Sequence, residues 1–220
     1  MRKTGVICMI LGAALILSAL LLIVYNNITE QRAAEAAQSL LPTLRSMIDD
    51  RLAARAEESA AVTEPPPPEW VTPETDAAET AAPAKPEPTV TISGRAYLGY
   101  LTIPSLELEL PVMAECDMSK LKLAPCRQFG TAEGEDLVIA GHNYKRHFGR
   151  LTEIRATDLM LFTDMDGTTY VYEVGAVEML KPDQVSEMKV SEWALSLYTC
   201  TLVSNDRLTV RCRLIETIPG

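Results

Sequence analysis

Leu195-Ser196-Leu197-Tyr198-Thr199-Cys200, followed after residues 201–206 by Arg207-Leu208-Thr209-Val210-Arg211-Cys212, reads as the two strands of one hairpin. If Cys200 pairs with Arg207, then Thr199 faces Leu208, Leu197 faces Val210 and Leu195 faces Cys212, and these pairs form one largely apolar face. The other face carries Cys200 with Arg207, Tyr198 with Thr209, and Ser196 with Arg211. A one-residue slip would scramble both sets. In this register the Cβ atoms of Cys200 and Arg207 stand roughly 5 Å apart. A guanidinium beside a cysteine favours the thiolate, the reactive form. It can also stabilise charge developing on a carbonyl oxygen. Arg211 shares the face but lies roughly 13 Å further along, so Arg207 is the better partner. Taken alone, the hairpin equally fits an ordinary exposed strand arginine and a small core cysteine.

Nucleophilic chemistry at Cys200 also needs an imidazole, as general base or as the cation that pairs with the thiolate. The chain has two histidines. His142 ends the apolar run Leu137-Val138-Ile139-Ala140-Gly141, where the glycine lets the backbone turn and a strand end gives a rigid base for aiming a side chain. His147 sits in the polar stretch 143–150 on a looser tether. The bland alternative puts both at the surface. His142 is the preferred partner.

Short β-like runs at 97–103, 108–113, 137–140, 159–163, 169–177, 195–199 and 207–215 predict a mainly β domain, a barrel or sandwich. Asp166-Gly167 marks a hairpin turn. Asp164 and Asp166 lie in a loop too short for a calcium cage of the twelve-residue kind. A helix is expected within 118–123, and a short helical turn after Lys181-Pro182-Asp183.

The N-terminal half is organised differently. Residues 5–24 form an uncharged apolar run long enough to cross a bilayer as a helix, at roughly 1.5 Å per residue over a core of about 30 Å. Arg2 and Lys3 precede it, which predicts a cytoplasmic N-terminus and a domain outside. A cleaved signal peptide is the competing reading, with small residues around Ala33, Ala34 and Ala36 as the site, but its apolar region is normally only about 7–15 residues. The expected division is 1–28 as tip and transmembrane anchor, 29–63 as helical spacer, 64–89 as Pro/Glu/Thr/Ala-rich linker, and 90–220 as the β domain. The spacer helix is expected to be interrupted near Pro42 and to be solvated, in preference to a coiled-coil or docking segment. The linker, with Pro65-Pro66-Pro67-Pro68, buries too little apolar surface to fold and acts as a tether. Trp70 within it is read as an isolated exposed aromatic.

A formal net charge of −10 argues against nucleic acid, and against an anionic lipid surface, as partners of the soluble part. The five cysteines show no metal-binding spacing. A Cys116–Cys126 disulfide suits an oxidising exterior, although spacing does not establish it.

From Tyr97 to Ile215 the chain resembles the sortases, the cysteine transpeptidases of Gram-positive cell surfaces. Leu197-Tyr198-Thr199-Cys200 is similar to the family's Leu-x-Thr-Cys signature. Leu208-Thr209-Val210 resembles the strand after its essential arginine, here Arg207. Val138-Ile139-Ala140-Gly141-His142 resembles the segment ending in its catalytic histidine. Tyr97-Leu98-Gly99-Tyr100-Leu101-Thr102-Ile103-Pro104 with Leu110-Pro111-Val112 resembles its opening strands, and Phe148, Leu151 and residues 158–174 follow its general pattern. Ser196 departs from the threonine of many members, and Thr157 from their glycine.

The resemblance implies a closed β-barrel of about eight strands with short helices. It implies attack by Cys200 on the Thr–Gly bond of a Leu-Pro-x-Thr-Gly-like sorting signal of surface proteins, through a thioacyl intermediate. The acceptor would be an amine of a cell-wall precursor or of a pilin. His142 would move the protons, Arg207 would hold the carbonyl, and Thr199 and Tyr198 would support the substrate groove. No cofactor or metal is implied, with calcium modulation left open. Two other readings stand beside it: a secreted thiol peptidase or hydrolase with the same residues and water as acceptor, and a non-catalytic tethered domain that binds cell wall and would not need Cys200.

Overall fold

The computed structural model describes residues 2–61, 87–189, 192–201 and 206–220. Trp70, the proline run of the tether and residues 202–205 of the hairpin loop lie outside the described residues.

The strands are β1 (Val90–Ile92), β2 (Arg95–Ile103), β3 (Leu108–Met113), β4 (Cys126–Phe129), β5 (Leu137–Ala140), β6 (Leu159–Asp164), β7 (Thr169–Leu180), β8 (Leu195–Cys200) and β9 (Arg207–Ile218). They form one nine-stranded sheet in the order β1-β2-β3-β4-β5-β8-β9-β7-β6, and a further β2–β6 pairing closes it. With β1 attached outside that ring, the barrel has eight strands (nine less one). Closure removes the open sheet edges that would otherwise invite pairing with other chains. The β8–β9 register is the one expected from alternation: Leu195 pairs with Cys212, Leu197 with Val210, Thr199 with Leu208 and Cys200 with Arg207. Leu195, Leu197, Leu208, Val210 and Cys212 belong to the barrel core with Leu101, Ile139, Phe148 and Tyr172.

Two strands escaped the sequence pattern. β1 is very short. β4 reads Cys-Arg-Gln-Phe, without clean alternation, and pairs with β5 through an irregular register between Arg127 and Phe129. The Asp166-Gly167 hairpin forms between β6 and β7. Asp164 Oδ1 accepts the backbone N–H groups of Asp166 (2.8 Å) and Thr168 (2.9 Å), so this carboxylate serves the turn. The helix expected within 118–123 is instead a run of turns. Asp117 Oδ1 takes the N–H groups of Ser119 and Lys120, and the chain then returns at Pro125 to the Cys116–Cys126 disulfide. The short helical turn appears as α2 (Val185–Lys189).

The largest departure is the N-terminal helix, α1 (Arg2–Ala61), which runs unbroken through Pro42. Its second half is no solvated spacer. Ala33, Ala34, Ala37, Leu41, Leu44 and Ile48 are buried at helical spacing, and Leu44 and Ile48 join Tyr97, Met113 and Met165 in a cluster on the outside of the barrel. Arg45 pairs with Glu109 and lies over the Tyr100 ring, while Arg55 pairs with Asp166 at 2.7 Å. A mid-helix proline costs about 3 kcal/mol. Burying one leucine or isoleucine contributes roughly 1.5–3 kcal/mol, so Leu41, Leu44 and Ile48 outweigh that cost. Pro42 itself faces solvent. Along the first part of α1, Ile10, Leu15, Leu20, Leu21 and Ile23 are all exposed, and the helix is long and apolar enough to cross a membrane.

Candidate active site

β5 and β8 run parallel, with Leu137 beside Leu195 and Ala140 beside Tyr198. Gly141 extends the pairing by donating its N–H to the Tyr198 carbonyl at 2.9 Å. One residue further on, this register sets His142 level with Cys200, on strands roughly 4.8 Å apart. A glycine is required before His142 because a Cβ on residue 141 would stand 2.3 Å from the fully buried Phe148 ring. On the other side of β8, Cys200 and Arg207 form the last rung of the β8–β9 pair. Three stretches distant in sequence therefore end side by side at one end of the barrel.

Cys200 is an exposed free thiol. Cys212 is wholly buried, and burial pushes its thiol up to about 12, which leaves it protonated and inert. Cys116 and Cys126 are bonded to each other, and Cys8 lies in the apolar half of α1. Arg207 is half-buried, its guanidinium 5.4 Å from the centre of the Tyr198 ring. The Tyr198 hydroxyl donates to Gln128 Oε1 at 3.2 Å, and burial raises its pKa against the lowering influence of Arg207. Arg207 is thus steered by an aromatic plate two residues before the thiol. Arg211 is spoken for elsewhere: it is buried and donates to Glu178 (2.7 Å), Ser196 (2.8 Å) and the Glu187 carbonyl (3.0 Å).

His142 is half-buried and stacks on Tyr144, ring centres 4.0 Å apart. Desolvation holds its pKa below the usual histidine value; a hydrogen bond with Asn143 and the charge of Glu30 oppose this, while Lys122 adds to it. His147 is neither loosely tethered nor at the surface. It is completely buried behind Tyr144, 5.6 Å between rings, and burial pushes its pKa down to about 4. Thr199 takes the place expected from alternation. Alternation turns it to the inner face beside Leu208, 4% exposed, so any part it plays in a groove is through its backbone, whereas Tyr198 shares the face of Cys200. Gln128, Lys122 and Glu30 were not found from sequence, since no local pattern signals contacts from such distant stretches. Among the described residues no cluster of His, Cys, Asp or Glu is arranged to hold a metal ion.

An eight-stranded closed barrel with the backbone stretches of Cys200, His142 and Arg207 ending side by side defines a narrow class of protein. A family model described as the sortase domain matches residues 101–215, and the chain belongs to the sortase family. Among solved structures, sortase C1 from Streptococcus agalactiae shares the fold, with a TM-score of 0.51 at 24% identity over 57% of this chain and 71% of that one. Sortase C1 from Streptococcus suis is similar at 29% identity over 56% of this chain and 74% of that one, with a TM-score of 0.49. No curated protein matches the chain.

Proposed function

We propose that this sortase is a membrane-anchored cysteine transpeptidase, with Cys200 as nucleophile, His142 as proton carrier and Arg207 as the cation at the reacting carbonyl. The observation that supports the reading is the shared backbone register: Gly141 is bonded to Tyr198, and Cys200 stands opposite Arg207, at the strand end next to His142. The substrate is the Thr–Gly bond of a Leu-Pro-x-Thr-Gly-like signal on a surface protein. The Cys200 sulfur attacks the threonine carbonyl carbon, and its proton passes to His142 Nε2 or Nδ1. Arg207 hydrogen-bonds the oxygen that becomes negative. Collapse breaks the C–N bond, His142 returns the proton to the departing glycine amine, and a thioacyl enzyme remains. An amine of a cell-wall precursor or pilin then attacks the thioester, gives its proton to His142, and releases the sulfur. Tyr198 lines the groove beside Arg207. The apolar half of α1 anchors the chain, with Arg2 and Lys3 in the cytoplasm and the barrel outside.

The test offers the full chain, in detergent micelles, a library of Leu-Pro-x-Thr-Gly-like peptides with several amines. Cys200→Ala is expected to abolish acyl transfer, and Arg207→Ala to lower its rate by roughly 10²–10³-fold. Undiminished turnover in Cys200→Ala would end the transpeptidase reading. A product that stays a free acid at every amine concentration would make the protein a hydrolase instead.

A further inference from the structure

The helix that crosses the membrane is continuous with the helix that holds the barrel, and this fixes which end of the barrel lies nearest the bilayer. Asn27, Glu30 and Gln31 of α1 line one cleft with Lys145, Arg146 and Arg150 of the segment after His142. Glu30 accepts the Arg146 backbone N–H at 3.3 Å. Burial raises the Tyr144 pKa, and the neighbouring Glu30 and Tyr25 of α1 add to this. The apolar run ends at Val24. At roughly 1.5 Å per residue, Asn27 stands only about 4–5 Å and Glu30 about 9 Å beyond it. The headgroup layer on each side of the hydrocarbon is about 5–8 Å thick, and an ordinary helix tilt of about 20° scarcely changes these heights. At the far end of α1, Arg55 holds Asp166 and lines a cleft with Glu133, roughly 45 Å beyond Val24.

We propose that the segment carrying His142 rests on the headgroup layer of the membrane that α1 spans, with the exposed Lys145 and Arg146 as its contacts to lipid phosphates. The inference rests on the anchoring reading above. The charge of the whole chain is acidic, but several acids here are engaged: Glu109 pairs with Arg45, Glu153 pairs with Arg150, and Glu30 takes the Arg146 amide, while the exposed Glu107 of the same cleft acts on Arg150. Lys122 adds a further cation on the side of His142. Cations at this depth are drawn to an anionic leaflet. The consequence is an orientation: the Cys200 end of the barrel faces the bilayer surface, where lipid-held substrates reach the thiol directly.

The test uses the full chain in vesicles of phosphatidylcholine and phosphatidylglycerol. In a Cys8→Ser, Cys200→Ala background, a fluorophore is attached at Lys145→Cys or, as the distant site, at Glu133→Cys, and nitroxide on the lipid headgroup quenches it. Quenching several-fold stronger at 145 than at 133 is expected, and adding Arg146→Glu should weaken it. Equal quenching at the two sites, or no effect of Arg146→Glu, overturns the proposal. Resistance of the chain to alkaline carbonate extraction reports anchoring separately. A chain that is extracted refutes the anchoring itself, whereas one that stays with equally quenched labels refutes only the headgroup contact.

Discussion

Gly141 donates its backbone N–H to the carbonyl of Tyr198 at 2.9 Å, the last bond of a parallel pair that ends one residue before His142 and two before Cys200. The backbone alignment of the His142 and Cys200 stretches depends on this contact, and the contact depends on the Phe148 ring filling the space where a side chain at residue 141 would stand.

Gly141→Ala therefore drives a methyl group into a buried ring. Overpacking of this kind costs about 1–3 kcal/mol, to be read from urea unfolding. Acyl transfer should fall with it, because the strand end that aims His142 shifts. Adding Phe148→Leu makes room for the methyl and should recover part of the activity.

Two of the arginines on the outer face of β9, Arg207 and Arg211, separate stability from chemistry. Arg211→Ala removes the donors that reach buried Ser196 and the Glu187 carbonyl, while the exposed Glu178 stays solvated, at a cost of about 1–3 kcal/mol. Arg207→Ala should leave the unfolding midpoint within about 0.5–1 kcal/mol of the parent while slowing transfer. Thermal melts and initial rates on the same preparations check the contrast.

His147 makes stability depend on pH. Its folded pKa of about 4 lies below the unfolded value, so between the two the unfolded chain binds more protons. Stability should be fully present above about pH 6.5 and should fall as pH drops toward 4, by up to about 3 kcal/mol. His147→Gln should flatten this part of the profile, measured by melting temperature from neutral pH downward.

The Cys116–Cys126 bridge closes a short loop, and the chain-entropy estimate for such a loop is about 2–3 kcal/mol. Reduction, or Cys116→Ser with Cys126→Ser, should lower the unfolding free energy by that amount. A mass shift on alkylation before and after reduction identifies the bridge directly.

The amino-acid sequence by itself determined which residues of the β8–β9 hairpin share a face, because period-two alternation puts Leu195, Leu197, Val210 and Cys212 on the apolar side, while the pairing of Cys200 with Arg207 was settled by the structure, since a slip of two residues would keep the same faces. It also determined the apolar helix at the start of the chain, since an uncharged run of that length is stable only in a membrane or a core. The neighbours of each strand were decided by the closed barrel. β5 lies beside β8 because the ring must close with every backbone group paired, and nothing within Leu137–Ala140 names its partner. The same holds for α1. Ala33, Leu41 and Leu44 mark an apolar stripe, but only the surface offered by Tyr97, Met113 and Met165 turned that stripe from a spacer into a brace. His147 shows the limit most plainly, for a histidine in a polar segment carries no local sign that neighbouring rings will bury it.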